Sequence, residues 1–121
     1  MKTIPVAAIP IIQAQNLGEE CYSFSKRIPG IVEGLSVLYR EAKLEGLLEI
    51  EIEDETALSI TRKLIHKGLP VGPSSGLNYA ASLIIAKKLG QHKKVVTVFP
   101  DRMERYFSTE LFNDWRADSN C

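Results

Sequence analysis

"LPVGPSSGLNYAAS", residues 69–82, is a rigid, hydroxyl-rich turn that is followed at once by an apolar run. Its glycines and prolines predict a loop, and the run predicts a helix from about Ser75 to the residue before Gly90. The first turn of a helix has unpaired backbone N–H groups, which favour an anion or another hydrogen-bond acceptor. Ser74 and Ser75 therefore have two interpretations, as helix caps or as ligand-binding groups, and local chemistry alone favours capping.

The helix after this turn is unusually apolar. Leu83 and Ile85 widen its apolar surface, which predicts that the helix packs on more than one side. Its predicted inner stripe comprises Leu77, Ala80, Ala81 and Ile84.

An amphipathic strand and helix precede the turn. The stretch "LLEIEIED", residues 47–54, alternates apolar and acidic residues, which predicts a strand with one solvated face near a sheet edge. Asp54 is the predicted N-cap of the next helix, and Gly68 is its predicted left-handed stop. The apolar stripe of that helix comprises Ala57, Ile60, Leu64 and Ile65.

Three other segments complete the predicted order of elements. Residues 3–9 are predicted to form a short, mostly buried strand, and residues 10–36 mainly a loop, with short helices near "AQNLGEEC" and over residues 35–42. The β-branched run at residues 95–99 predicts a central parallel strand that is covered on both faces. Strands and helices in this order predict one α/β layered domain with parallel strands, spanning residues 1–121.

The composition excludes several classes of function. Lys and Arg number 15 and Asp and Glu also number 15, so the formal net charge is zero and attracts neither nucleic acid nor an anionic membrane. Cys21 and Cys121 form no metal-binding or disulfide pattern, which favours a reducing cytoplasm and no metal site. No apolar run approaches the ~20 residues of a membrane span.

A second polar cluster follows the predicted central strand. Ligands of open parallel sheets bind outside the carboxyl ends of the strands, where both the serine turn and Pro100-Asp101 are expected. Asp101 has an alternative interpretation as a turn or cap residue. The aromatic residues near the end of the chain are expected to form a hydrophobic cap: Tyr106, Phe107, Phe112 and Trp115.

Residues 68–89 and 93–112 together resemble the C-terminal part of cysteine synthase, an O-acetylserine sulfhydrylase that uses pyridoxal phosphate. The resemblance consists of a Gly-x-Ser-Ser-Gly turn into an Ala-rich helix, a strand, Pro-Asp, and an Arg-Tyr-x-Ser-Thr segment. "RIPGIVEGL", residues 27–35, resembles the substrate loop of the family, although Val32 replaces a glycine. The fold implied is a three-layer parallel-sheet unit, part of the large domain of the tryptophan synthase β-like fold type II.

The resemblance also implies roles for particular residues in the intact enzyme, which converts O-acetylserine and sulfide to cysteine and acetate. Ser74 matches the serine whose hydroxyl bonds the pyridine nitrogen of the cofactor, leaving that nitrogen largely unprotonated. The other cofactor-site residues implied are Ser75, Gly76, Pro100 and Asp101, and those of the substrate loop are Gly30, Ile31 and Gly34. Two departures, Pro73 and Met103, imply an altered backbone near the cofactor.

Three motifs of the family do not occur in the 121 residues. They are the Ser-x-Lys-Asp-Arg motif of the Schiff-base lysine, the Thr-Ser-Gly-Asn substrate motif and the Gly-Thr-Gly-Gly-Thr phosphate loop. We therefore expect no catalytic residue in this chain and no productive cofactor binding by the chain alone. The candidate partners are a second copy, a separate N-terminal half with the lysine, and the tail of serine acetyltransferase. The alternative function is a non-catalytic interaction domain.

Overall fold

The computed structural model describes residues 3–14, 21–24, 28 and 45–106. These residues form three strands, two helices and one short 3₁₀ helix, which confirms the predicted α/β class. The elements are β1 Val6–Ala14, β2 Cys21–Phe24, β3 Leu48–Glu53, α1 Asp54–His66, α2 Pro73–Leu89 and the 3₁₀ helix Met103–Tyr106. The sheet and the two helices that pack on it belong to the predicted layered unit.

The sheet has the strand order β2-β1-β3. β1 pairs with β3 in parallel, from Val6 opposite Leu48 to Ile11 opposite Glu53. On its other side β1 pairs with β2 in antiparallel orientation, from Ile11 to Ala14. Among the described strands β3 is therefore an edge strand, as its alternating sequence predicts.

β1 is longer than the sequence indicates. The predicted loop over residues 10–36 is wrong at its start, because β1 continues to Ala14, and β2 lies within the same range. Pro10 is tolerated inside β1 because pairing with β2 begins one residue later, so Pro10 has a neighbouring strand on one side only. The two short helices that we predict in this region fall mainly or wholly outside the described residues.

β3 separates an acidic face from an apolar one. Glu49, Glu51 and Glu53 are exposed, whereas Ile52 on the opposite face is buried. Leu48, at the start of the strand, remains exposed. The alternation is thus confirmed, and the glutamates lie on the solvated side of an edge strand.

α1 has the predicted length and end. Gly68 has a φ of +95°, which confirms it as the left-handed stop. Asp54 is the first helical residue rather than the N-cap, and its carboxylate accepts the N–H of Glu55 at 2.7 Å. The N-cap is Glu53, whose side chain makes no capping bond. The buried residues of α1 are Asp54, Ala57, Leu58, Thr61 and Leu64.

α2 ends where the sequence predicts and begins two residues earlier. It runs from Pro73, whose fixed φ suits a first helical turn, to a C-cap at Gly90 with a φ of +74°. Ile85 is buried in place of the predicted Ile84, which is exposed. α2 packs against α1 and the sheet, as the expectation of packing on more than one side requires, but Leu83 is also exposed and does not belong to those contacts.

The core lies between the sheet and the two helices. Its buried residues are Ile28, Ile52, Ala57, Leu77, Ala80 and Ala81. α1 and α2 are in close contact at Gly76, where an added Cβ would overlap Thr61 Oγ1 and lie 2.5 Å from the Ala57 carbonyl oxygen. That threonine hydroxyl already donates a hydrogen bond to the same carbonyl at 2.7 Å. Gly76 is therefore required for the contact between the helices.

The predicted central strand at residues 95–99 is wrong, because the structure assigns no strand there. Val96 is 89% exposed and Val98 is 66% exposed. The segment contacts α2 through the Asn78 side-chain amide, which donates to the Val98 carbonyl at 3.0 Å, and through the rings of Tyr79 and Phe99, whose centroids lie 6.3 Å apart. A β-branched run forms a strand only beside another strand, and the described strands do not pair with this one.

Replacing Gly76 by alanine tests the close crossing of α1 and α2. We expect Gly76→Ala to lower the free energy of unfolding by about 1–3 kcal/mol, since overpacking outweighs the better helix propensity of alanine. Urea denaturation of the whole chain measures the change, with exposed Lys88→Ala as a control expected to stay within about 0.5 kcal/mol. Equal stability of the Gly76 variant and the control would contradict the account.

Candidate functional site

The serine turn and the Pro-Asp segment lie side by side. Val71 and Arg102 form an antiparallel bridge. The Met103 N–H donates to the Pro70 carbonyl at 3.1 Å, and the Gly72 N–H donates to the Asp101 carbonyl at 3.3 Å. The backbone therefore holds the start of α2 against Asp101, so the two polar clusters adjoin each other.

The Asp101 carboxylate caps α2, although it lies 27 residues after Ser74 and 26 residues after Ser75 in the sequence. One oxygen, Oδ2, accepts the Ser74 N–H at 2.9 Å, and Oδ1 accepts the Ser75 N–H at 3.0 Å. Oδ1 also accepts a short hydrogen bond from the Ser75 hydroxyl. Asp101 and Ser75 are both buried. The first-turn N–H groups that favour an anion thus have one, and it comes from the chain itself.

This arrangement decides between the interpretations of the serines and Asp101. The N-cap is Gly72, and no side chain of the turn caps its own helix, so the local capping interpretation of Ser74 and Ser75 is wrong. Asp101 is indeed a cap residue, but for a helix that begins far before it in sequence. The sequence contains both halves of the contact, and only the preference of a helix N-terminus for an anion could have joined them.

The two serine hydroxyls differ in their hydrogen bonding. The Ser75 hydroxyl is buried and bonded to Asp101. The Ser74 side chain is half-buried, and its hydroxyl makes no hydrogen bond to another residue that the structure describes. Ser74 is therefore the serine of this turn whose hydroxyl can bind a ligand.

The ring of Tyr106 packs against Gly72, at the start of the serine turn. A Cβ added to Gly72 would lie 2.5 Å from both Tyr106 Cε2 and Asp101 Oδ2, so only glycine fits between them. Tyr106 is 7% exposed and packs with Leu58 and Ile65 of α1. The expected hydrophobic cap is confirmed for Tyr106, while Phe107, Phe112 and Trp115 lie outside the described residues.

Of the remaining predicted site residues, those that the structure describes lie outside the contact between Asp101 and the two serines. Gly76 lies in the crossing between α1 and α2, and Pro100 is exposed. The substrate-loop candidates Gly30, Ile31 and Gly34 lie outside the described residues. Within the described ranges no group of three or more His, Cys, Asp or Glu could hold a metal ion. None of the helices described is long and apolar enough to cross a membrane.

Removing the Asp101 carboxylate tests its capping role. Asp101→Ala removes the acceptor of the Ser74 N–H and the shorter of the two hydrogen bonds of the buried Ser75 hydroxyl, so we expect the free energy of unfolding to fall by about 1–3 kcal/mol. The matched control is Glu104→Ala, which removes an exposed carboxylate paired with Arg102 at 2.9 Å and should cost at most about 1 kcal/mol. Urea denaturation compares them, and equal losses in both variants would contradict a special role for Asp101.

Comparison with known proteins finds relatives by sequence. No family model matches the chain. A cysteine synthase of Helicobacter pylori is 39% identical over 89 residues, which are 69% of this chain and 29% of that protein. Cysteine synthase 2 of Schizosaccharomyces pombe is 36% identical over 94 residues, which are 73% of this chain and 24% of that protein. The chain thus spans less than a third of the length of these relatives.

Two solved structures share the fold. An O-acetylserine dependent cystathionine beta-synthase from Helicobacter pylori is 36% identical with a TM-score of 0.65, and the match covers 90% of this chain and 34% of that one. A variant of a hydrogen sulfide-producing enzyme, complexed with an alpha-aminoacrylate intermediate, is 40% identical with a TM-score of 0.55. That match covers 59% of this chain and 22% of the enzyme.

The sheet, the two helices and the serine turn therefore match part of the fold of the pyridoxal-phosphate enzymes of fold type II. Within that class, the chain belongs over its matched part to the cysteine synthase family. The resemblance to cysteine synthase, which rests on the serine turn and on the Pro-Asp segment, is therefore confirmed at the level of the family.

Proposed function

We propose that this chain supplies the pyridine-binding wall of a pyridoxal-phosphate enzyme that replaces the acetate of O-acetylserine by sulfide. The observation that carries the proposal is the state of the serine turn. Asp101 and Ser75 satisfy each other, and the Ser74 hydroxyl beside them makes no hydrogen bond within the described part of the chain. Such a hydroxyl is available to the ring nitrogen of a cofactor.

The chemistry of the turn fits this cofactor. A hydroxyl can donate a hydrogen bond to an unprotonated pyridine nitrogen, whereas an ionised carboxylate can only accept one and favours the protonated ring. The carboxylate at the turn, Asp101, is already bound by two backbone N–H groups and a hydroxyl. When bound, pyridoxal phosphate withdraws electrons from the α-carbon of the amino-acid substrate, which permits loss of the β-substituent.

Activity requires a segment that carries the Schiff-base lysine and the phosphate loop. The family motifs for both are not among the 121 residues, and the match covers 29% of the Helicobacter pylori relative. In this proposal the chain alone holds no cofactor covalently, and a separate polypeptide or an additional segment contributes the lysine. The proposed compartment is the cytoplasm.

Complementation tests this proposal. The portion of the Helicobacter pylori cysteine synthase outside the match is expressed as a separate polypeptide and mixed with this chain and pyridoxal phosphate. After borohydride reduction, mass spectrometry should find the cofactor on a lysine of the added polypeptide, and Ser74→Ala should weaken cofactor retention. Cofactor fixed on a lysine of this chain, or equal retention with and without this chain, would contradict the proposal.

A second candidate function, a non-catalytic assembly domain, is favoured by the apolar segment at residues 95–99. Val96 and Val98 are largely exposed there, and residues in such a run prefer burial at an interface. The second copy that the sequence suggests, and the tail of serine acetyltransferase, remain the proposed partners. A stable assembly without cofactor or a lysine-bearing polypeptide would support this function over the enzyme.

The exposed segment yields a prediction about oligomeric state. We expect the isolated chain to form a homodimer or a larger oligomer, because burial of Val96 and Val98 removes apolar surface from water. Light scattering should show a shift toward monomer in Val96→Lys/Val98→Lys, whereas the control His92→Lys, an exposed turn residue, should leave the mass unchanged. A monodisperse wild-type monomer would contradict the prediction.

A further inference from the structure

Asp101 and Ser74 meet at one turn and have opposite hydrogen-bonding states. The Asp101 carboxylate accepts three hydrogen bonds, one of them from the Ser74 backbone N–H at 2.9 Å. The hydroxyl of Ser74 accepts or donates none among the described residues. We propose that Asp101 is a positioning residue, which fixes the backbone of Ser74 so that its hydroxyl faces the cofactor ring. This inference rests on the proposed function.

The position of Asp101 makes the contact strong. The residue is 8% exposed, so its carboxylate depends on protein donors in place of water. Two backbone N–H groups at the start of α2 and the positive end of the helix dipole supply the stabilisation. With its backbone held on Asp101, Ser74 keeps one side-chain torsion free to direct its hydroxyl, which reduces the entropy lost on binding the ring.

The contact also separates a carboxylate from the cofactor. An ionised carboxylate beside a pyridine nitrogen would favour protonation of the ring, because opposite charges attract. Ser75 donates both its N–H and its hydroxyl to Oδ1, and Ser74 donates its N–H to Oδ2, so both oxygens are directed at α2. The two serines therefore have separate roles in this proposal: Ser75 binds the Asp101 carboxylate, and the hydroxyl of Ser74 contacts the cofactor ring.

The positioning extends to the segment that carries Asp101. The Gly72 N–H bonds the Asp101 carbonyl, and the Met103 N–H bonds the Pro70 carbonyl. Tyr106 closes the turn against α1 through Leu58. The orientation of Ser74 thus depends on docking of the segment from Asp101 onward, although that segment follows α2 in sequence.

Amide hydrogen exchange of the whole chain tests the first half of the inference. Asp101→Asn keeps the shape of the side chain but replaces one acceptor oxygen by a donor, so we expect the Ser74 amide to exchange at least about tenfold faster. The Ser75 amide also donates to the Gly72 carbonyl at 3.1 Å, so we expect a smaller change there. The matched control is Glu104→Gln, which alters an exposed carboxylate and should leave both amides unchanged. Unchanged exchange in Asp101→Asn would overturn the inference.

Nitrogen NMR of labelled pyridoxal phosphate tests the second half, in the complex with the complementing Helicobacter pylori polypeptide. We expect the ring-nitrogen signal to shift in Ser74→Ala and in Asp101→Asn, and to stay unchanged in Glu104→Gln. A shift in Ser74→Ala without one in Asp101→Asn would overturn the positioning role and leave the proposed function intact. No shift in Ser74→Ala, with faster amide exchange in Asp101→Asn, would overturn the proposed function and with it the role of Asp101 toward the cofactor, while the capping of α2 by Asp101 would stand.

Discussion

The capping of α2 by Asp101 is the interaction on which the site depends. A helix N-terminus presents N–H groups that must find an acceptor, and here a buried carboxylate from another segment meets two of them. This contact joins the serine turn to the segment that leads to Tyr106, and Gly72 permits the close approach because any Cβ would collide with both partners. The turn is therefore assembled by tertiary structure and not by local capping.

The fold around the turn explains why its residues are small. Gly76 allows α1 and α2 to cross at Thr61, and the crossing sets the direction in which α2 presents its first turn. The same helix leaves Leu83 and Ile84 exposed, and the apolar segment that follows it is also exposed. A well-packed site region and an exposed apolar region thus occur on one helix.

Local features were predictable from sequence where local physics determines them. Gly68 and Gly90 end their helices with positive φ, and the acidic alternation of β3 marks its solvated face. The absence of a strand at residues 95–99 was not predictable in this way, because a β-branched run shows propensity but not the presence of a neighbouring strand. Nor was the contact between Asp101 and Ser75, since no periodicity connects residues 26 positions apart.

The central claim is that Ser74, held by Asp101, provides the hydroxyl for the cofactor ring. A crystal structure of the complex between this chain, the complementing polypeptide and pyridoxal phosphate tests it most directly. The account predicts the Ser74 hydroxyl oxygen within about 2.7–3.0 Å of the pyridine nitrogen, while both Asp101 oxygens remain on the first turn of α2. A ring nitrogen bonded to Ser75 or to the Asp101 carboxylate, or a cofactor bound away from this turn, would contradict it.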